Sequence, residues 1–174
     1  MPVTLMRHAQ TDWARVNALR LRGAANDLAS LTATGRDQAR QAARTIARPE
    51  VIIASPMTRA LETASIIGTC LGVEVLVQFD LREWLPDESY SWTTSDEVLA
   101  AYDDMRRHGG VRPDTGQPKW EPLETVRARA AQTLDRFVSR HETVLAVTHE
   151  VVIYALTAAE NTNFCATRPY CGAT

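Results

Sequence analysis

Val3-Thr4-Leu5-Met6-Arg7-His8-Ala9-Gln10-Thr11 begins as an apolar run and breaks into charge at Arg7. Such a run suits a buried strand, and it ends on a guanidinium directly beside an imidazole. That pair suits nucleophilic attack on an anion. Arg7 offers a fork of donors to phosphate oxygens, while His8, neutral near pH 7, offers a ring nitrogen to phosphorus. By itself the pair equally describes a surface salt-bridge donor beside a half-buried histidine.

Outward from this stretch, strands and helices alternate. Asp12 to Leu31 shows no sustained period and carries Arg15, Arg20, Arg22, Gly23 and Asn26, which reads as a loop over the strand's carboxyl end. Thr34-Gly35-Arg36-Asp37 has capping-box form, and Ala39, Ala42, Ala43 and Ile46 predict an amphipathic helix ending before Pro49. Arg36, Arg40 and Arg44 read as its solvated face. Val51 to Ala54 predicts a strand buried on both faces. Ser55 then caps a helix that Pro56 opens, with Ala60, Ala64, Ile67 and Leu71 inward and Gly72 as its stop. Arg59 falls in that helix's first turn, where free backbone N–H groups and the helix dipole favour an anion. Pairing with Glu62 or plain solvent exposure accounts for Arg59 equally well at this point.

Val73, Val75, Val77 and Phe79 alternate with Glu74, Leu76 and Gln78, the pattern of a strand near a sheet edge. It runs into Asp80-Leu81-Arg82-Glu83-Trp84. Leu85 to Thr93 reads as an irregular cover whose Trp84, Tyr90 and Trp92 either line a recess or hold the cover down. Thr94-Ser95-Asp96-Glu97 caps a helix with Val98, Ala101, Tyr102 and Met105 inward, and the Gly- and Pro-rich stretch from His108 to Glu121 reads as a surface connection or flap. Pro122 opens the longest helix, with Leu123, Val126, Ala130, Leu134 and Phe137 inward and Glu124, Arg127, Arg129 and Arg136 facing elsewhere. Thr143 to Val147 predicts a strand ending in Thr148-His149-Glu150, Val151 to Ala159 a short buried helix, and Asn163 to Thr167 a last strand.

This rhythm predicts an α/β fold, a three-layer α/β/α sandwich with a mostly parallel central sheet. The length of 174 residues is that of a single domain, 1–174, with residues 84–121 as a cover and flap region over the site. With 19 basic against 21 acidic residues there is no field of one sign, so nucleic acid and anionic membrane are not expected partners. No apolar stretch approaches the roughly 20 residues that span a bilayer, and no signal-peptide pattern opens the chain, so the expected location is cytoplasmic. Cys70, Cys165 and Cys171 have no zinc spacing. Free thiols are expected over a Cys165–Cys171 bridge.

Arg7-His8, Arg59, Glu83 and His149 all fall just past strand ends, where such folds place their sites. In that order the chain resembles the histidine phosphatase superfamily, which includes the cofactor-dependent phosphoglycerate mutases. The resemblance runs from Val3 to about Leu156 and rests on Arg7-His8-Ala9-Gln10-Thr11, similar to R-H-G-E-T, and on Arg22-Gly23 to Leu31-Thr32-Ala33-Thr34-Gly35. It continues in Ser55-Pro56-Met57-Thr58-Arg59-Ala60-Leu61-Glu62-Thr63-Ala64, Leu81-Arg82-Glu83 and Val147-Thr148-His149. The resemblance implies His8 as nucleophile, Arg7, Arg59 and His149 as phosphate clamp, Glu83 as general acid and base, and Thr11 and Gly23 among the substrate-binding residues. It implies no metal and no cofactor.

The expected activity is a metal-independent phosphomonoesterase working through phosphohistidine on a small phosphorylated metabolite. A phosphoglycerate mutase-like phosphomutase is the second reading, and a non-catalytic phospho-ligand or protein-binding module the third; the module needs the clamp but not Glu83. Ala9 and Glu150 stand where the family usually has glycine, and Ala14 where it often has asparagine. The Ala9 methyl is expected to narrow the pocket or alter the backbone. Glu150, if turned inward, is expected to weaken phosphate binding or raise the pKa of His149. Composition does not fix the oligomeric state.

Overall fold

In the computed structural model, residues 3–114, 116, 118–160 and 162–170 are described. Strands β1 (Val3–Arg7), β2 (Val51–Ala54), β3 (Val75–Val77), β4 (Val144–Thr148) and β5 (Thr167–Tyr170) form one sheet in the order β3-β2-β4-β1-β5. All pairings are parallel except that of β5 with β1. The strands alternate in the side chains they send to each face. Leu5, Ile53 and Ala146 join one apolar cluster, whereas Met6, Ile52, Leu145 and Val147 join another. Helices α2 (Ala33–Thr45) and α3 (Thr58–Leu71) cover the second cluster. Helices α4 (Ser95–Arg107), α5 (Leu123–Val138) and α6 (Glu150–Thr157) pack on the first, through Met105, through Val126, Ala130 and Leu134, and through Val151 to Ile153. The three-layer α/β/α sandwich is thereby established.

Several boundaries differ from the sequence reading. The stretch from Asp12 to Leu31 is not a plain loop: it holds helix α1 (Trp13–Ala18), capped by the Asp12 carboxylate accepting from the Arg15 N–H at 2.9 Å, and a 3-10 turn over Gly23–Leu28. These elements are too short to show a period. Helix α2 is capped by Thr32, whose hydroxyl accepts from the Gly35 N–H, and not by Thr34. Gly35 is obligatory there, because a Cβ would stand 2.3 Å from the Gln10 carbonyl oxygen. Helix α3 begins at Thr58, so Pro56 lies outside it and Ser55 turns elsewhere. Strand β3 is only three residues long, and Phe79 already belongs to a 3-10 turn, Phe79–Leu81. The final strand lies at Thr167–Tyr170, past the expected Asn163 to Thr167. Thr94 caps α4 with a complete capping box, as its sequence indicates. A Cys165–Cys171 bridge involves Cys171, which lies outside the described residues.

The sheet order gathers the functional strand ends. Because β4 sits between β1 and β2, the carboxyl ends of all three meet at one place, the crevice where such sheets bind ligands.

Candidate active site

Register alone brings the pieces together. Arg7 is paired with Thr148, the His8 N–H donates to the Thr148 carbonyl at 3.0 Å, and the Ser55 N–H donates to the Val147 carbonyl at 3.0 Å. The His8 and His149 rings consequently stand edge to face, 5.1 Å apart. Just past β1, the buried Ala9 N–H donates to the Thr63 hydroxyl, which itself donates to the Arg59 carbonyl. Thr63 thus ties the loop bearing His8 to the helix bearing Arg59.

His8 is buried, and its Nδ1 lies 2.8 Å from the Ala9 carbonyl oxygen. A carbonyl only accepts, so Nδ1 carries the proton and the Nε2 lone pair is left for chemistry. Burial lowers the His8 pKa to about 3, with the charges of Arg59 and Arg7 adding to the effect and the Ala9 hydrogen bond opposing it. His8 is therefore neutral at pH 7. Thr11 is buried beside it, its hydroxyl 3.5 Å from Nδ1, at the edge of hydrogen-bonding range.

His149 is fully buried, with Nε2 2.7 Å from the Ser55 hydroxyl. Ser55 accepts from the Met57 N–H, and its own proton has no other acceptor among the described residues, so it points to Nε2 and the histidine carries its hydrogen on Nδ1. Burial, followed by Arg59 and His8, holds the His149 pKa well below the usual value. This corrects one expectation, since Glu150 does not raise the pKa of His149.

Arg59 is buried and free of Glu62, which instead binds Arg36 at 2.7 Å and the Leu31 N–H at 2.8 Å. Its Nη2 donates to the Met57 sulfur at 3.1 Å, and the guanidinium lies 5.6 Å from the Trp13 ring centre. Arg7 spends Nη1 on the Thr162 carbonyl and on the Glu150 carboxylate, at 2.7 and 2.8 Å, beneath the Phe164 ring. Among the described residues, Nε and Nη1 of Arg59, Nε of Arg7 and Nδ1 of His149 have no partner despite burial. Buried donors left this way are costly unless an acceptor joins them. Arg59 and Arg7 both bear electrostatically on His8 and on His149, so these open nitrogens share one neighbourhood that can receive an anion.

Glu83 follows the 3-10 turn that ends at Leu81, a turn held by the Thr148 hydroxyl donating to the Leu81 carbonyl. Burial raises its pKa, against the Trp84 N–H bond and the charges of Arg59, Arg129 and Arg7. Arg129, read from sequence as facing elsewhere, in fact secures this turn. Its guanidinium donates to the carbonyls of Asp80, Arg82 and Glu83 and grips the buried Glu121 carboxylate at 2.7 and 2.9 Å. Its place directly before Ala130, on the edge of the apolar stripe, is the only sequence sign of an inward position.

A recess of about 320 Å³ opens beside Arg59 and Glu83. Trp84 and Trp92 line it, Trp84 also donating from its indole to the Glu121 carbonyl, while Tyr90 packs against Trp92 and is not among the lining residues. Asn26, Asp27 and Trp13 line it as well; the sequence placed their stretch over the strand's carboxyl end but singled out neither Asp27 nor Trp13. Gly23 does not line it. With φ at +55° and the Trp92 carbonyl oxygen 2.8 Å from a would-be Cβ, Gly23 lets the cover lie close, so its role is backbone fit. The Ala9 methyl packs with Leu31 and Ala39 in an apolar cluster, and Ala9 lies outside the left-handed region, so it neither narrows the recess nor bends the chain.

Comparisons with known proteins bear on the family and the fold. The family model described as histidine phosphatase superfamily (branch 1) matches residues 3–164. Curated protein sequences give no match. Among solved structures, YhfR of Bacillus stearothermophilus is 30% identical with a TM-score of 0.67, over 90% of this chain and 77% of that one. A mycobacterial glucosyl-3-phosphoglycerate phosphatase is 27% identical with a TM-score of 0.67, over 90% and 77%. A phosphoserine phosphatase from Entamoeba histolytica, 22% identical with a TM-score of 0.61 over 88% and 76%, shares the fold.

Proposed function

Because the chain belongs to the histidine phosphatase superfamily (branch 1), we propose that it is a metal-independent phosphomonoesterase acting through a phosphohistidine on a small phosphorylated metabolite. The observation that carries this is the set of unpartnered buried donors of Arg7, Arg59 and His149 around a neutral His8 whose Nδ1 is already engaged. The transferring phosphoryl group spreads charge over its equatorial oxygens, and two guanidiniums and an imidazole N–H meet it without reorganisation.

His8 Nε2 attacks phosphorus in line as the ester P–O bond breaks, and Glu83, whose pKa burial raises, is the acid that gives its proton to the leaving oxygen. The Glu83 carboxylate then takes a proton from water, whose oxygen attacks phosphorus. The N–P bond breaks, releasing phosphate and restoring neutral His8 and protonated Glu83. Residues 84–121 act as the cover over this site within one domain, and the setting is the cytoplasm, where thiols stay reduced. Among the described residues no helix is long and apolar enough to cross a membrane. A non-catalytic phosphate binder would need the clamp but not the partly buried Glu83 carboxyl that lines one recess with Arg59.

Phosphate release from p-nitrophenyl phosphate in the presence of EDTA tests the reading. The wild type is expected to turn over and His8→Ala to be inactive. Activity abolished by EDTA, or surviving in His8→Ala, contradicts it.

A further inference from the structure

The recess beyond the phosphate clamp has a chemistry that dephosphorylation itself does not require. At about 320 Å³ it lies at the small end of ligand pockets. Its walls are largely apolar and flat, from Trp13, Trp92, Pro86 and Leu99. Arg59 is the one cation among its lining residues, and that guanidinium is committed to the phosphate. Beside Arg59, Glu83 and Ser95, two further polar side chains are set into the apolar walls, Asn26 and Asp27, and each brings an acceptor oxygen. Asp27, from the 3-10 turn over Gly23–Leu28, lines the same recess as Arg59, and the neighbouring Asn26 keeps its side-chain oxygen buried with no partner among the described residues.

We infer that the enzyme selects phosphomonoesters whose leaving group is a small flat apolar body carrying a hydrogen-bond donor, best of all an ammonium, and discriminates against leaving groups that carry a carboxylate. The inference rests on the phosphatase reading and names the substrate class of that same site. A ring entering the recess stacks between Trp13 and Trp92. Its donor satisfies the Asn26 oxygen and the Asp27 carboxylate, which an apolar ligand would leave desolvated. An ammonium there also lies within reach of the two indole faces. A carboxylate in the same place meets Asp27 with no cation to spare, a like-charge contact that works as rejection. Phosphorylated hydroxyacids are thus poor fits, which also sets this recess against the phosphoglycerate mutase-like alternative.

Three aryl esters of matched leaving group separate the contributions: tyramine phosphate, para-ethylphenyl phosphate and the phosphate ester of para-hydroxyphenylpropionate. In kcat/KM the tyramine ester is expected to exceed the ethylphenyl ester by about five- to tenfold, and the propionate ester to fall below it by a similar factor. In Asp27→Asn the ratio of tyramine to ethylphenyl ester should collapse toward one. Trp92→Ala should lower all three relative to methyl phosphate. The inference is overturned if the wild type hydrolyses the propionate ester as well as the ethylphenyl ester, or if Asp27→Asn leaves the ratio in place. The wild-type series decides the matter even where a variant fails to fold. Failure to hydrolyse any of the esters overturns the phosphatase reading beneath it, whereas equal hydrolysis of all three overturns the selection alone.

Discussion

At Glu150 and Glu83, single side chains set the terms on which an anion enters the site. Glu150 anchors Arg7 by one nitrogen while placing a negative charge beside the clamp. Glu150→Gln keeps an oxygen for Arg7 and removes the charge, so inorganic phosphate should inhibit the variant severalfold more tightly. A competitive inhibition constant that is unchanged or weaker contradicts this. Glu83 is argued from its raised pKa. A group held above its unfolded value lends stability below the ordinary glutamate range and loses it as pH rises through the folded value, so at pH 7 its ionisation opposes folding. Glu83→Gln should therefore unfold at higher urea than the wild type at pH 7, with the gap closing below about pH 4.5, and turn over about 10²- to 10⁴-fold more slowly. A variant that is less stable at pH 7, or equally active, removes Glu83 from the role. Most of the residues proposed for this chemistry were legible in the sequence because Arg7 ends a strand, His8 and His149 directly follow one and Arg59 opens a helix, whereas Glu83 lies past a 3-10 turn. Their tautomers were not, since these depend on the Ser55 hydroxyl and the Ala9 carbonyl reached only through the fold.

At the scale of elements, the turn carrying Glu83 depends on α5. Arg129 joins three backbone carbonyls of that turn to a Glu121 side chain that is 1% exposed, its own side chain being 9% exposed. Removing Arg129 leaves the buried Glu121 carboxylate with only the more distant Arg82 guanidinium, at 3.6 Å, as a charge partner. Arg129→Ala is expected to lower unfolding free energy by about 3–5 kcal/mol in urea titration and to slow turnover through displacement of Glu83. The double variant with Glu121→Ala should lose less than the two single losses added. A loss under about 1 kcal/mol for Arg129→Ala would place the pair among merely superficial bridges. The strands β1, β2 and β4 and helices α3 to α6 were readable because they are apolar runs or periodic stripes with clear caps or stops. The stretch from Asp12 to Leu31 was not. Its short helical turns are held by Asp12 and by the Thr11–Leu31 bridge, contacts without a periodic signature. Arg129 escaped for a related reason, since periodicity places an arginine on a face but does not say what carbonyls wait there.

For the whole molecule, the site makes the fold acid-sensitive. His8 and His149 are buried as neutral rings with depressed pKa values, while in the unfolded chain they titrate normally. A depressed group contributes stability above its unfolded pKa, and that stability is lost as pH falls from about 6.5 toward about 3. His8 alone should remove about 2 kcal/mol between pH 7 and pH 5, and His8→Ala should flatten the urea midpoint over that interval. An equal slope in the variant contradicts the buried neutral ring. The sheet order is what brings both histidines to one place, and it was legible only as a class: alternating elements imply a parallel sheet, but nothing local to β4 says that it inserts between β1 and β2. The central claim concerns covalent chemistry at one atom. Quenching the wild type in alkali during turnover, where a P–N bond survives, and mapping the modified peptide by mass tests it most directly. A phosphoryl group on His8, absent from His8→Ala, is the predicted result; steady turnover with no phosphoenzyme, or with phosphate on another residue, contradicts the account.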